Sequence, residues 1–320
     1  MPHIHFEPDD VDVEALETEL VLGVSLTAGL PHAHACGGKA RCSTCRVSIT
    51  DGLEHCAPRT PPEQALAQRL HFAPEIRLAC QTRVSGDVSL RRLVLDADDV
   101  ELTKRLMTGT ASVGEEKLIA ILFADIRNFT SFAERLPPYD VIYVLNRYFH
   151  RMGKVISRCG GYIDNYMGDG LMAVFGVDDA GDAARRAVEA GLGMLDEVES
   201  LRPDFESVYD MSFQIGVGVH YGEAVVGTVG AAGTKRLTAI GDAVNFASRV
   251  EAANKEAGTK FLISEDTYYE VKDFITVGRE CAEVSLKGKS GAHALYEVVG
   301  LKDGRASRSE MASQTDGGDE

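Results

Sequence analysis

Three cysteines crowd one short stretch of this chain, and a fourth stands far along it. Cys36 is followed by five residues and Cys42, then by two more and Cys45, and after a further 34 residues by Cys80. Thiolates ligate soft metals and iron–sulfur clusters. The spacing therefore predicts a loop wrapped around one inorganic centre, with the last ligand brought in from a distant strand. Gly37-Gly38 and Lys39-Ala40-Arg41 lie between the first two thiols. Small residues there let backbone N–H groups point at inorganic sulfides, which favours a reduced, more negative centre. A structural zinc ion on four cysteines is the alternative, but such sites usually carry two Cys-x-x-Cys pairs and here there is one. His32 and His34 precede Cys36 and read as loop histidines, since a Rieske-type centre needs Cys-x-His twice. Cys56, Cys159 and Cys281 lie outside the pattern, and the total of seven is odd, so a disulfide framework is a poor reading.

Five of the seven cysteines fall in the first 80 residues, which suggests two halves of different chemistry. A chain of 320 residues allows about two domains. Lys plus Arg is 33 and Asp plus Glu is 49, and 33 − 49 gives −16, which argues against nucleic-acid binding by bulk charge and against docking on an anionic membrane. No apolar run approaches the roughly 18 residues that span a bilayer. The start, Met1-Pro2-His3-Ile4-His5-Phe6-Glu7, lacks a basic, then apolar leader, so a cytoplasmic location is expected.

The expected division is a first domain over 1–95, a helical connector over 96–114, a second domain over 115–301 and a disordered, Ser-, Gly- and Asp-rich tail over 302–320. In the first domain Val47-Ser48-Ile49 and Arg83-Val84-Ser85 alternate as strands do. In the second, Leu118 to Ala124 is a continuous apolar run typical of a strand buried on both faces. Thr130 to Cys159 is helical in spacing, broken at Pro137-Pro138. Strands are expected over Tyr162 to Asp164 and Leu171 to Phe175, then a pair over Phe213 to His220 and Glu223 to Val229. Helices are expected over Asp178 to Glu199 and Ala243 to Lys255. The fold class is α+β.

Two aspartates stand out. Asp125 ends the apolar strand just before a helix start at Asn128-Phe129-Thr130, where backbone N–H groups can hold phosphate oxygens. Asp169 sits in Tyr166-Met167-Gly168-Asp169-Gly170 at a hairpin tip. Two carboxylates on adjacent strands suit a pair of Mg²⁺ ions and in-line displacement on a triphosphate. Asn245 and Arg249 are four apart, on one helical face, where an Arg can stabilise phosphoryl charge and an Asn can orient a ribose.

These residues carry two resemblances. Cys36 to Cys45 together with Leu78-Ala79-Cys80-Gln81 resembles a 2Fe–2S ferredoxin domain of the adrenodoxin-like branch. That implies a β-grasp fold and a 2Fe–2S cluster on Cys36, Cys42, Cys45 and Cys80. The Asp125, Asp169 and Asn245–Arg249 motifs, in that order, resemble a class III nucleotide cyclase catalytic domain. That implies a ferredoxin-like, palm-type α+β sheet, unrelated to the iron–sulfur domain. It implies conversion of ATP to 3′,5′-cyclic AMP and pyrophosphate, with two Mg²⁺ or Mn²⁺ ions on Asp125, Asp169 and the Ile126 carbonyl. Asn245 and Arg249 would complete the site from the second subunit of a head-to-tail homodimer. Asn128, Phe129, Thr130, Asn165, Thr238 and Lys287 (rather than Lys289) would bind substrate.

The chain departs from the family at one position. Adenine-specific members carry Lys four residues before the second metal Asp, paired with Asp or Thr elsewhere; here the first is Asn165 and the second Thr238. Asn hydrogen-bonds a purine edge without charge. The expected function is thus an adenylate cyclase regulated by redox or cluster state, with ATP and an electron-transfer partner or redox signal as its partners. The alternatives are a guanylate or relaxed-specificity cyclase, or an electron-transfer ferredoxin dimerised by a degenerate cyclase.

Overall fold

A computed structural model describes residues 1–7, 9–92, 114–209, 213–230, 235–285 and 292–302. The chain divides into two compact units, Met1–Gly114 and Glu115–Glu320. Most of the expected connector, the tail beyond Lys302, and both Lys287 and Lys289 lie outside the described residues.

In the first unit, β1 (His3–Glu7), β2 (Val11–Glu14), β3 (Arg46–Asp51), β4 (Ile76–Leu78) and β5 (Val88–Arg92) form one sheet in the order β2-β1-β5-β3-β4. β1 runs parallel to β5 and antiparallel to β2, and β3 runs antiparallel to β5 and β4. Ile4 and Phe6 are buried while His3, His5 and Glu7 are not, the period of two that a half-buried strand requires. The apolar face packs with α1 (Val21–Thr27) and α2 (Pro61–Arg69) into a core of Ile4, Phe6, Val21, Val47, Leu78 and Leu90. This is the β-grasp arrangement. α2 starts where the sequence chemistry says it should: the Thr60 hydroxyl accepts from the Glu63 amide, and Pro61 occupies the first turn. Glu63, fully buried, then accepts from Arg77 Nε at 2.9 Å and from the Leu78 amide at 2.8 Å. The pair ties α2 to β4, the strand that leads to Cys80.

The run Arg83-Val84-Ser85 is not a strand. It makes one isolated bridge, Cys56 to Val84, and its backbone bonds go to the neighbouring loop, Ser85 N–H to His55 O and Ala57 N–H to Arg83 O. His32 lies in a loop but is buried, its ring 2.8 Å from Ser25 Oγ, so it belongs to the core.

In the second unit, β6 (Glu115–Ile126), β7 (Gly161–Met167), β8 (Gly170–Phe175), β9 (Ile215–Val229), β11 (Phe261–Ser264), β12 (Ile275–Ser285) and β13 (Ala292–Leu301) follow the order β12-β13-β11-β9-β6-β8-β7, with β10 (Arg236–Ile240) on β9. The helices are α3 (Phe129–Ala133), α4 (Pro138–Arg158), α5 (Ala183–Tyr209), α6 (Asp242–Ala257) and α7 (Glu265–Val271). The unbroken apolar run of β6 has a plain cause. Ala120, Leu122, Ala124 and Ile126 pack on the α4 and α5 side, and Ile119 and Ile121 pack with Ala243 and Ala247 of α6.

The expected strand pair over Phe213 to His220 and Glu223 to Val229 is one strand. Tyr221-Gly222 does not turn, because β6 pairs with β9 continuously from Glu115↔Val226 to Ile126↔Ile215. α5 starts at Ala183 rather than Asp178, after a turn in which Asp179 Oδ1 accepts from Gly181 N–H, and it continues past Pro203 to Tyr209. Gly218 lets α6 lie directly on β9: a Cβ there would stand 2.2 Å from the Glu251 amide nitrogen.

Candidate functional site

The cysteine loop is built from left-handed backbone. Gly37, Gly38 and Ala40 have φ of 65°, 81° and 54°, and such successions turn consecutive N–H groups toward one anionic point. Thr44 pins the loop: its hydroxyl accepts from the Ala35 amide at 2.9 Å and lies 3.1 Å from Cys42 Sγ. Among the four thiols, Cys42 acts on Cys36, and Cys45 and Cys80 act on one another. Burial alone would raise the Cys36 thiol, but the N–H groups of Arg41, Cys42 and Lys39 and the Cys42 side chain hold it below its ordinary value. Cys80 is pushed down to about 6, first by the hydrogen bond from Cys45 and then by the Gln81 side chain and the Ala40 amide. Cys45 goes the other way, raised by that same bond and by burial. Two pairs of thiols cradled by backbone donors match a two-iron centre, which takes two thiolates per iron. Among the described residues no three His, Cys, Asp or Glu side chains converge as ligands of a single ion. Cys56 stands apart at the Val84 bridge, its thiol raised by burial.

In the second unit, Asp125 and Asp169 meet across β6 and the β7–β8 turn. Burial first, then the charge of Asp169 and a hydrogen bond with it, push Asp125 up to about 6. Gly170 makes room for the contact, since a Cβ there would stand 3.1 Å from Asp125 Oδ1. Glu251 of α6 is pushed up to about 7 by burial, with Asp125 and Asp169 adding to the effect and Arg127 opposing it. Arg127 Nη2 lies 3.4 Å from Glu251 Oε1, in a space left by the missing side chain of Gly216. Below them lies the buried Tyr148, its phenol raised by burial and by all three carboxylates. Three carboxylates against one guanidinium leave excess negative charge, and the Asp125–Asp169 pair offers the hard oxygen donors that Mg²⁺ prefers. The residues therefore fit divalent metal.

Asn128, in left-handed backbone at φ 57°, precedes α3, whose first residues are Phe129 and Thr130. Asn245 is exposed and Arg249 half-buried, one turn apart on α6. Arg249 Nη1 is buried with no partner among the described residues, which suits an anionic group yet to arrive. Asn165 of β7 and Thr238 of β10 are brought together: Thr238 Oγ1 donates to Asp164 Oδ2 at 2.8 Å, and Arg236 Nη1 donates to Asn165 Oδ1 at 3.0 Å.

Residues 112–300 match the adenylate and guanylate cyclase catalytic domain. The chain belongs to that family. Residues 4–85 match the 2Fe-2S iron-sulfur cluster binding domain. An adenylate cyclase of Anabaena cylindrica is 35% identical over 199 residues, covering 61% of this chain and 39% of that protein. A terminal-differentiation-specific adenylate cyclase of Dictyostelium discoideum is 38% identical over 188 residues, covering 57% and 9%. The chain thus spans well under half of these curated relatives. Among solved structures, the guanylyl cyclase Cya2 superposes with a TM-score of 0.56 at 32% identity, covering 59% of this chain and 95% of that one. The adenylyl cyclase CyaB from P. aeruginosa gives 0.55 at 32%, covering 60% and 98%. The two similar structures differ in the base their names specify.

Arg127, Glu251, Asp164 and Arg236 were not among the expected site residues. A signal existed for Glu251, a charged residue that shares the largely apolar face of α6 with Ala243, Ala247 and Val250.

Proposed function

We propose that this chain is an adenylate cyclase that converts ATP to 3′,5′-cyclic AMP and pyrophosphate, with its output set by a 2Fe–2S cluster in the first unit. The observation that carries the reading is the Asp125–Asp169 pair, two carboxylates placed so that burial and the neighbouring Asp169 push Asp125 up to about 6. Asp125 and Asp169, with the Ile126 carbonyl, would hold two Mg²⁺ or Mn²⁺ ions, which when bound would neutralise the triphosphate and acidify the ribose 3′-hydroxyl. In the reaction a bond forms between O3′ and the α-phosphorus, the bond from that phosphorus to pyrophosphate breaks, and the hydroxyl proton leaves to solvent. The amides at Asn128, Phe129 and Thr130 receive phosphate oxygens. Asn245 orients the ribose, and Arg249 meets the charge at the α-phosphate with its unpartnered Nη1. Lys287 is assigned to the terminal phosphates.

Asn245 and Arg249 act on the substrate of a second copy in a head-to-tail homodimer. Val225, Val229, Leu237 and Ile240 of β9 and β10 are apolar and exposed, with Val225 directly opposite Ile240, a surface that suits a second copy. Cys36 with Cys42 and Cys45 with Cys80 hold the cluster. A change in the state of that cluster would be the signal that sets the rate. A guanylate or relaxed-specificity cyclase is the second reading, favoured by the neutral Asn165.

The test is an anaerobic assay of the full chain with ATP and with GTP, in oxidised, dithionite-reduced and cluster-free forms. Cyclic AMP is expected to exceed cyclic GMP, the rate to differ between cluster states, and Asp125→Ala to abolish both products. Equal rates in all three states would remove the regulatory part; faster cyclic GMP would replace ATP with GTP.

A further inference from the structure

We propose that the Gln81 side chain sets the reduction potential of the cluster by donating to the sulfur of Cys80, and that Thr60, at the start of α2, aims that donor. The inference rests on the reading that Cys36, Cys42, Cys45 and Cys80 hold a 2Fe–2S cluster.

Gln81 follows Cys80 directly and is half-buried. Its Nε2 lies 2.8 Å from Cys80 O, 3.3 Å from Gly38 O and 3.7 Å from Cys80 Sγ. Carbonyl oxygens only accept, so the amide atom that faces two of them is the nitrogen. Two N–H bonds therefore serve three acceptors, and one of the three is the sulfur of a cluster ligand. Another belongs to Gly38, in the loop between Cys36 and Cys42. That loop lies against the fourth ligand: a Cβ at Gly38 would stand 3.8 Å from Cys80 Cβ. One amide thus holds the loop to the end of β4 and reaches the thiol there.

With the nitrogen placed, Oε1 is the atom that faces Thr60. An amide oxygen only accepts, so the Thr60 hydroxyl gives its proton to Oε1 at 2.9 Å. The same hydroxyl accepts from the Glu63 amide at 3.4 Å, the bond that caps α2. Its donor is committed to Gln81 and its acceptor to the helix. If the Gln81 amide turned over, Oε1 would meet two carbonyl oxygens and lose the Thr60 proton, so the donor stays on the side of Cys80. An electron added to the cluster makes its sulfurs more negative. An N–H donor at a ligand sulfur stabilises that reduced form more than the oxidised one and raises the potential. Cys80 is 1% exposed, so water does not replace this donor when it is removed.

Gln81 and Thr60 are thus positioning residues. The experiment is an anaerobic redox titration of the reconstituted full chain, followed in the visible, with iron content and thermal midpoint measured alongside. The forms compared are the wild type, Gln81→Leu, Thr60→Val, Thr60→Ser and the double variant Gln81→Leu/Thr60→Val. Gln81→Leu should disfavour reduction by about tenfold, which is a fall of about 59 mV for one electron. Thr60→Val should lower the potential by less, and Thr60→Ser, which keeps the hydroxyl, should match the wild type. The double variant should fall no further than Gln81→Leu alone, because Thr60 acts through Gln81. Its thermal midpoint should still drop with the lost helix cap, so the two readouts separate the relay from a merely structural role. A reduction equilibrium in Gln81→Leu within twofold of the wild type overturns the inference and leaves the cluster reading standing. A double variant whose shift is the sum of the two single shifts overturns the relay through Thr60. Where Gln81→Leu holds no iron, equal potentials in Thr60→Val and Thr60→Ser overturn the inference. A colourless wild type that carries zinc overturns the cluster reading and this inference with it.

Discussion

Around Glu251, burial and charge act together on one side chain. The groups that face it are Asp125, Asp169 and Arg127 at the sheet end, with Tyr148 from α4 below. The net result is a carboxyl pushed from 4.5 up to about 7. A carboxyl raised on folding keeps its proton in the native state while the unfolded chain has already ionised. Stability contributed by this group is therefore full below about 4.5, falls as pH rises, and levels off above about 7. Glu251→Gln removes the titration. In metal-free buffer the variant's thermal midpoint, relative to wild type, should rise steadily between pH 5 and pH 7.5; the same offset at both ends would show that Glu251 is not raised. At this scale the sequence was generous with Asp125 and Asp169, which stand in turn-flanked motifs. It was silent on partners that meet only across the sheet. Thr238 and Asp164 are 74 residues apart, and nothing local to either announces the contact.

At the scale of elements, periodicity served well where one element has one environment. α4 and β6 were legible because their apolar pattern follows burial over residues 144–156 and 119–126. β9 was misread as two strands because Gly222 interrupts the pattern, whereas the twelve-residue partner β6 that holds it straight is encoded elsewhere. Arg83-Val84-Ser85 failed for the converse reason: it alternates like a strand, but no neighbour offers it a ladder. The cysteine loop was legible from spacing, since the ligand chemistry demands it, while the pairing of its thiols emerged only from the fold. That pairing makes a prediction. Cys45 and Cys80 are each 1% exposed and act on one another, so Cys45→Ser should lose the visible absorption of the reconstituted chain and its bound iron. Cys56→Ser, outside both pairs, should keep both. Visible spectra and iron content per chain read the result, and a colourless wild type carrying zinc would replace the cluster with a structural metal.

At the scale of the whole molecule, a formal charge of −16 sets a problem for an enzyme whose substrate is a triphosphate. Bulk electrostatics repel it, so attraction must come from metal ions on Asp125 and Asp169 and from a few placed cations, among them Arg249, whose Nη1 is buried without a partner among the described residues. In the head-to-tail reading these two sets of groups serve one substrate from different chains. Asp125→Ala and Arg249→Ala should each be inactive alone, since each homodimer then lacks one half of both sites. Co-expressed with different tags, the two variants assort at random. About half of the dimers are mixed, and each mixed dimer holds one intact site and one doubly damaged site, so turnover should return to about a quarter of wild type. Restoration should be confined to the fraction that carries both tags. No return of activity in that fraction would mean that Asp125 and Arg249 of the same chain serve the same substrate, and the apolar surface on β9 and β10 would then need another occupant.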